Sequence, residues 1–319
     1  MRKFRTEEAL KIFSGGKPYT AWAEGEILPG YRNPLPGNAG QRVYSEVFSP
    51  RIIPRFRLPR DSRVFTVGSC FARNVERALM SAGIEVVNSP QRINVEPSHL
   101  NKYNAFAIWQ ELAMAIDDSY DESLCLEVKP EKWIDYTGNG FYKTRDALLE
   151  ARNKILAANL LIREAGFFIL TLGLTEAWYD KETGKYLNIT PLDAARATPD
   201  RYECHVLDYN DNLDFSRRLI ELVRRENDHV RIVITVSPVP LVATFTGHDI
   251  ALRNMVSKST LRAVADSLIN EYEFCDYFPS YEMVVLSKPE AAWMPDRRHV
   301  RAELVKEITD LFVREYFIH

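Results

Sequence analysis

Four short apolar runs constrain this chain more than any other feature: VFTV at 64–67, IEVVN at 84–88, FFILTLG at 167–173 and VRIVITV at 230–236. None shows the regular polar alternation of a strand with one wet face, so each is expected to be covered on both sides. Between and after them lie amphipathic stretches, predicted as helices at 71–82, near 104–117, near 145–165, near 213–226, near 257–271 and from about 300 to 317. Buried strands alternating with amphipathic helices close as βαβ crossovers, which predicts the α/β class with a parallel sheet covered on both faces. An insertion at about 118–144, with its CLEVK, KWIDY and GFYK runs, is predicted as a small hairpin excursion. Residues 1–60 contain ILPGYRNPLPGNAG and SPRIIPRFRLPRD, rich in Pro and Gly and without period. They are predicted as an extended N-terminal arm packed on a body formed by 61–319.

Composition excludes several functions. A formal charge of −3 gives no bulk attraction to nucleic acid or to an anionic membrane, and the basic clusters PRFRLPRD and DRRHVR are short enough to be solvated faces or a local anion site. No segment supplies the roughly 20 apolar residues that cross a bilayer. The opening MRKFRTEEALKIFSGGK lacks the apolar core of a secretory signal, so a soluble, cytoplasmic protein is expected. The four cysteines, Cys70, Cys125, Cys204 and Cys275, form no C-x-x-C pair, and the six histidines form no ligand pair such as H-x-x-x-H. Reduced thiols, no metal and no disulfide framework are expected.

In an open parallel sheet, ligands gather at the carboxyl ends of the strands. The residues just after each run are therefore the site candidates: Ser69 and Cys70, Asn88 and Ser89, Thr175 and Glu176 with Trp178, and Ser237. In VFTVGSCFARNVERALMSAG the strand ends at Gly68 and a helix begins at once, a sharp turn that fixes whatever side chain it carries. PDRRHV adds Asp296 and His299 just before the last helix. A nucleophile on the first turn, with a histidine and its orienting carboxylate from the far end of the chain, makes a candidate triad. Plainer roles stand beside these: a cysteine after a strand also serves as a small core residue, Thr175-Glu176 as a cap or hairpin start, and Ser237 as a turn former ahead of proline.

GSCFA at 68–72, TLGLTEAW at 171–178, CH at 204–205, TVSPV at 235–239, NMVSKSTLR at 254–262 and YFPSYE at 277–282 occur in this order, and with them the chain resembles the GSCFA-domain family. That family is grouped with the SGNH (GDSL-like) esterases and acyltransferases. The resemblance implies a three-layer α/β/α sandwich with a flavodoxin-like parallel sheet, and Ser, His and Asp at the positions inferred above. It also carries departures. Where the related esterases read Gly-Asp-Ser, this chain reads Gly68-Ser69-Cys70, which by position puts Cys70 in the attacking place; a local shift of register would let Ser69 attack instead. Where they read Gly-x-Asn-Asp, it reads Gly173-Leu174-Thr175-Glu176, so Thr175 stands for the oxyanion donor, with Asn88 as a substitute donor.

The resemblance thus implies an esterase-like hydrolase or an acyltransferase working through a covalent acyl-enzyme, with Cys70 or Ser69 attacking, His299 as base and Asp296 orienting it. Its substrate is expected to be an O-acyl group of a carbohydrate, as in polysaccharide biosynthesis, or of a related small molecule. No bound cofactor is expected, and acyl-CoA is a possible donor. Candidate substrate contacts within the motifs are Glu176, Trp178, His205, Ser237, Ser257, Lys258 and Tyr281. A non-catalytic binding or scaffold protein on the same fold is the alternative, and the oligomeric state is open.

Overall fold

The computed structural model describes residues 37–318 together with Trp22 and the segments 25–28 and 31–33. Most of the first 36 residues of the expected arm lie outside the described residues. The elements that place the site are, in chain order, β1 (Val64–Val67), α1 (Cys70–Ser81), α2 (Ala105–Ile116), β2 (Cys125–Lys129), β3 (Lys132–Asp135) and α3 (Arg145–Asn159). There follow β4 (Phe167–Leu172), β5 (Glu176–Asp180), β6 (Lys185–Leu187), β7 (Tyr202–Val206), α4 (Tyr209–Glu226), β8 (Arg231–Val236), α5 (Ile250–Glu271), β9 (Cys275–Tyr277), α6 (Ser280–Val285) and α7 (Ala302–Tyr316).

The central sheet is parallel and runs β9-β8-β4-β1. The expected second strand, IEVVN, is reduced to an extended edge that touches the sheet through one parallel bridge, Val64 with Val86. Val64 donates to Glu85 and accepts from Val87, and beyond this the chain turns away into the short helix Pro90–Ile93. The short strand β9, Cys275–Tyr277, was not anticipated, because three residues are too few to show a period. Counting the bridged edge, the sheet order in chain terms is second, first, third, fourth, fifth, so the direction of winding reverses between β1 and β4. A crevice opens at such a reversal, outside the carboxyl ends of the two strands.

Alternation along the strands explains why they read as unbroken apolar runs. Phe65, Val67, Phe168, Leu170, Ile232 and Ile234 pack on one side with α2, α4 and α5. Val64, Phe167, Ile169 and Val233 pack on the other with α1 and α7. Both faces are covered, so the few polar side chains on these strands need partners inside the fold: Thr66 Oγ1 donates to the buried Glu76 carboxylate at 2.9 Å, and Thr235 Oγ1 shares a hydrogen bond with Ser280 Oγ. Local signals start the helices where the chain needs them: Asn104 caps α2 by accepting from Ala107 N at 2.8 Å, and Asp208 with Asp211 forms a capping box on α4.

The insertion forms the predicted hairpin, β2 paired antiparallel with β3 and extended by Trp133 opposite Tyr142. A second excursion, a three-stranded antiparallel sheet in the order β7-β5-β6, rises directly from the end of β4. Of the proposed arm, the described part leans on the body: Arg55 N donates to Asp276 Oδ2 at 3.0 Å, and Leu58–Pro59 pairs in parallel with Phe317–Ile318. Among the described residues no helix is long and apolar enough to cross a membrane.

Candidate functional site

Three turns meet at the carboxyl edge of β1 and β4, and backbone hydrogen bonds tie them together. Lys102 N donates to Gly68 O at 2.8 Å, Leu174 N to Tyr103 O at 2.8 Å, and Ser237 N to Leu172 O at 2.8 Å. Two glycines make this closeness possible. A Cβ on Gly68, whose φ is +148°, would lie 2.5 Å from Thr171 Cβ, and one on Gly173 would lie 2.5 Å from Tyr103 O. No side chain fits either place.

On that edge a cavity of about 420 Å³ opens beside Ser69 and Cys70, the residues at the start of α1. Ser69 is buried at the N-cap, but its hydroxyl does not cap the helix; it shares a 3.1 Å hydrogen bond with Ser237 Oγ. Cys70, the first helical residue, is half-buried with a free thiol on the cavity wall. The other thiols differ from it in place. Cys125 and Cys275 are buried in the core, and burial pushes Cys275 up to about 12; Cys204 on β7 is pushed up to about 11 by burial and by the Glu176 carboxylate.

Of the residues named from sequence, Ser69, Cys70, Glu176, Trp178 and Ser237 line this cavity. Glu176 does so without offering its charge: its carboxylate accepts from Thr244 Oγ1 at 2.6 Å and from Phe245 N at 3.0 Å, clamping the 239–245 loop over the opening. Trp178 meets Phe245 of that loop edge to face, with ring centres 5.0 Å apart. Ser257 and Lys258 act beneath the wall. Ser257 Oγ accepts from Thr175 N at 3.2 Å and Lys258 Nζ donates to Gly173 O at 2.7 Å, so helix α5 pins the 173–175 turn from behind. Lys258 is fully buried, and burial holds its ammonium down to about 7, with the Cys70 charge acting in the opposite sense.

The remaining candidates lie elsewhere. Asn88, read as a substitute oxyanion donor, brackets β1 instead: it accepts from Thr66 N at 3.0 Å and donates to Thr66 O at 2.7 Å. Thr175 is buried behind the wall that Gly173 and Leu174 present. His205 stacks on Tyr179 and bonds Tyr186 OH at 3.0 Å on the small antiparallel sheet, away from the cavity lining. Tyr281 packs half-buried against the α2/α4/α5 core. Asp296 and His299 do form a pair: Asp296 Oδ2 lies 2.6 Å from His299 Nδ1, and Asp296 Oδ1 accepts from His299 N and Arg298 N at 3.0 Å each. These three bonds hold the Asp296 carboxyl far below the usual carboxylate range. The pair is exposed and outside the cavity lining, and it is the intervening Arg298 that reaches the cavity wall.

Sequence reading missed Tyr103, Asn188 and Arg298, together with the 239–245 loop, all on the wall. Asn188 holds the 101–104 loop by accepting from Tyr103 N at 2.9 Å and donating to Asn101 O at 2.8 Å. Further back, Lys102, Glu111, Arg152 and Asp135 form a buried ion cluster: Glu111 Oε2 lies 2.5 Å from both Lys102 Nζ and Arg152 Nη1, and Asp135 Oδ2 lies 3.1 Å from Arg152 Nε. That cluster anchors the same loop. Arg298 alone had a signal, its place inside PDRRHV. Among the described residues no group of histidine, cysteine and carboxylates is arranged to hold a metal.

A search of curated proteins finds no match to the chain. Residues 63–312 match the GSCFA family, and this match runs from β1 into the last helix. The turns that build the cavity edge all fall inside it, and the chain belongs to the GSCFA family.

Proposed function

We propose that the protein catalyses acyl transfer or ester hydrolysis through a covalent intermediate on Cys70. The observation that carries the reading is the placement of this thiol: first residue of a helix, at the point where the sheet reverses its winding, on the wall of a cavity large enough for a small organic ligand. Cys70 Sγ attacks the acyl carbonyl, the carbon–sulfur bond forms and the ester or thioester bond breaks. The unpaired N–H groups of the first turn of α1 face developing negative charge. Asp296 engages His299 Nδ1, which leaves Nε2 as the nitrogen that takes the thiol proton and returns it to the leaving group. Ser69, buried and bonded to Ser237, shapes the turn.

The sheet order, second-first-third-fourth-fifth, supports the relation to SGNH-like three-layer hydrolases that the sequence motifs suggest. Water or an alcohol-bearing acceptor, such as a carbohydrate hydroxyl, completes the second half-reaction, and acyl-CoA fits as a donor class. We retain the cytoplasmic, reduced-thiol setting as part of this reading.

Intact-protein mass spectrometry after mixing with a p-nitrophenyl acyl ester tests it. Wild type and Ser69→Ala should carry an acyl adduct that maps to Cys70, Cys70→Ala should carry none, and His299→Ala should form it at least about tenfold more slowly. Absence of any adduct in wild type, with ester turnover no faster than the uncatalysed rate, would favour a binding or scaffold role. The same adduct on Ser69 in Cys70→Ala would make this a serine enzyme.

A further inference from the structure

The walls of the cavity divide sharply by chemistry. Near the sheet edge they carry Ser69, Cys70, Tyr103 and Ser237. Away from it they are mostly apolar, with Leu174, Trp178, Ile189, Val239, Leu241 and Phe245 among the lining residues and Asn188 and Thr190 the polar exceptions. Two charged side chains touch the space, Glu176 and Arg298. The Glu176 carboxylate is satisfied by Thr244 and Phe245. Arg298 is not so matched. It is half-buried, its Nε is buried without a hydrogen-bond partner, and among the described residues no carboxylate lies within ion-pair distance of its guanidinium. Asp296 binds its backbone N–H instead. A half-buried cation with a buried, unpaired donor on the wall of a largely apolar space calls for an anion.

We propose that the ligand of this cavity is an anionic amphiphile: an acyl chain of medium length lying along the Trp178–Phe245 wall, with a negatively charged group held at Arg298. Size supports the chain. At about 30 Å³ per water-sized group, an acetyl group fills roughly 90 Å³ and an eight-carbon acyl group roughly 270 Å³. Within about 420 Å³, the first leaves most of the apolar wall uncovered and the second covers it with room for a head group. The 239–245 loop, fixed by Glu176, forms the apolar side, and its exposed Val242 and Phe245 are among the lining residues. The assignment deepens the acyl-transfer reading by naming its acyl group, but binding alone tests it.

Titration calorimetry of the full chain with butanoate, hexanoate, octanoate and 1-octanol reads both halves of the proposal. Each added methylene should tighten binding about fourfold, so octanoate, with four more than butanoate, should exceed it by roughly 250-fold. Arg298→Gln should weaken octanoate about tenfold or more and leave 1-octanol unchanged. Phe245→Ser, at a position 44% exposed and so tolerant of change, should weaken both. Octanoyl-CoA, whose charge sits on phosphates beyond the thioester, separates the two sources: tighter binding than octanoate identifies a carried acyl group, weaker binding a free fatty carboxylate. Affinity that does not rise with chain length, equal loss of octanoate and octanol in Arg298→Gln, or no binding of any of these would overturn the proposal. Cys70→Ala should still bind octanoate. If it does and wild type forms no acyl adduct, only the catalytic reading falls.

Discussion

Replacing Lys258 by methionine should change how stability depends on pH, in a window that the structure specifies. The ammonium is fully buried on α5, bonded to Gly173 O at 2.7 Å, and no carboxylate lies within ion-pair distance among the described residues. Burial is the larger influence and lowers its pKa from 10.5 to about 7, while the Cys70 charge, the one other ionisable group that acts on it, pulls upward. In the unfolded chain the same side chain stays protonated to about 10.4. Between those values the unfolded state holds more protons, so folding stability rises with pH from about 7 to about 10, and below 7 the dependence is flat. Each pH unit of the window is worth about 1.4 kcal/mol, which makes the whole on the order of 4 kcal/mol. Urea unfolding of wild type and Lys258→Met at several values between pH 6 and 10 isolates this contribution, because titrations common to both proteins cancel in the difference. Wild type should gain on the variant by roughly 2–3 kcal/mol between pH 7 and pH 9. A difference constant to within about 1 kcal/mol across that range would mean that Lys258 titrates as an ordinary lysine, and the argument from its burial would be refuted.

Three further outcomes follow from the geometry. Glu111→Gln leaves Lys102 and Arg152 short of one carboxylate inside the fold, so urea unfolding should show a loss of about 3–5 kcal/mol at pH 7; because its neighbours hold Glu111 at about 2, that gap should close as pH falls from about 4.5 through 2, and a gap insensitive to acid would be evidence against it. Iodoacetamide at pH 8 should label Cys70 before Cys125, Cys204 and Cys275 in peptide mapping of the folded protein; labelling led by Cys204, which burial and Glu176 hold at about 11, would contradict the site. Gly68→Ala forces a Cβ to 2.5 Å from Thr171 at a φ of +148°, so thermal unfolding should report a loss of about 2–4 kcal/mol, and a wild-type melting temperature would show that the turn relaxes freely.

Most of the scaffold was legible in the sequence because burial on two faces leaves a coarse mark. VFTV, FFILTLG and VRIVITV are unbroken since α2, α4 and α5 cover one side and α1 and α7 the other. IEVVN carries the same mark but keeps only one bridge, at the sheet edge where a single neighbour is available. Periodicity cannot report how many partners a strand has. The helix at 257–271 begins earlier, at Ile250, because Asp249 accepts from Ala251 N at 2.7 Å and starts it there. The antiparallel sheet β7-β5-β6 was seen only as a possible hairpin start at Thr175-Glu176, since strands of three to five residues on a half-wet surface give little pattern.

The sequence by itself determined the parallel α/β frame, the strand-to-helix turn at Gly68-Ser69-Cys70 and the membership of the GSCFA family, because those depend on residue type and local order. Only the tertiary structure decided which polar side chains face the cavity. Glu176 and Asn88 spend their hydrogen bonds on the scaffold, Ser257 and Lys258 brace the turn from behind, and Arg298 takes the wall while His299 is exposed outside the lining. The reason is that a buried polar group is claimed by whichever partner lies within about 3 Å, and that partner is usually remote in sequence. Glu176 and Phe245 are 69 residues apart, and Thr175 and Ser257 are 82. No reading of neighbours along the chain contains those distances; they exist only once the sheet has brought its carboxyl ends together.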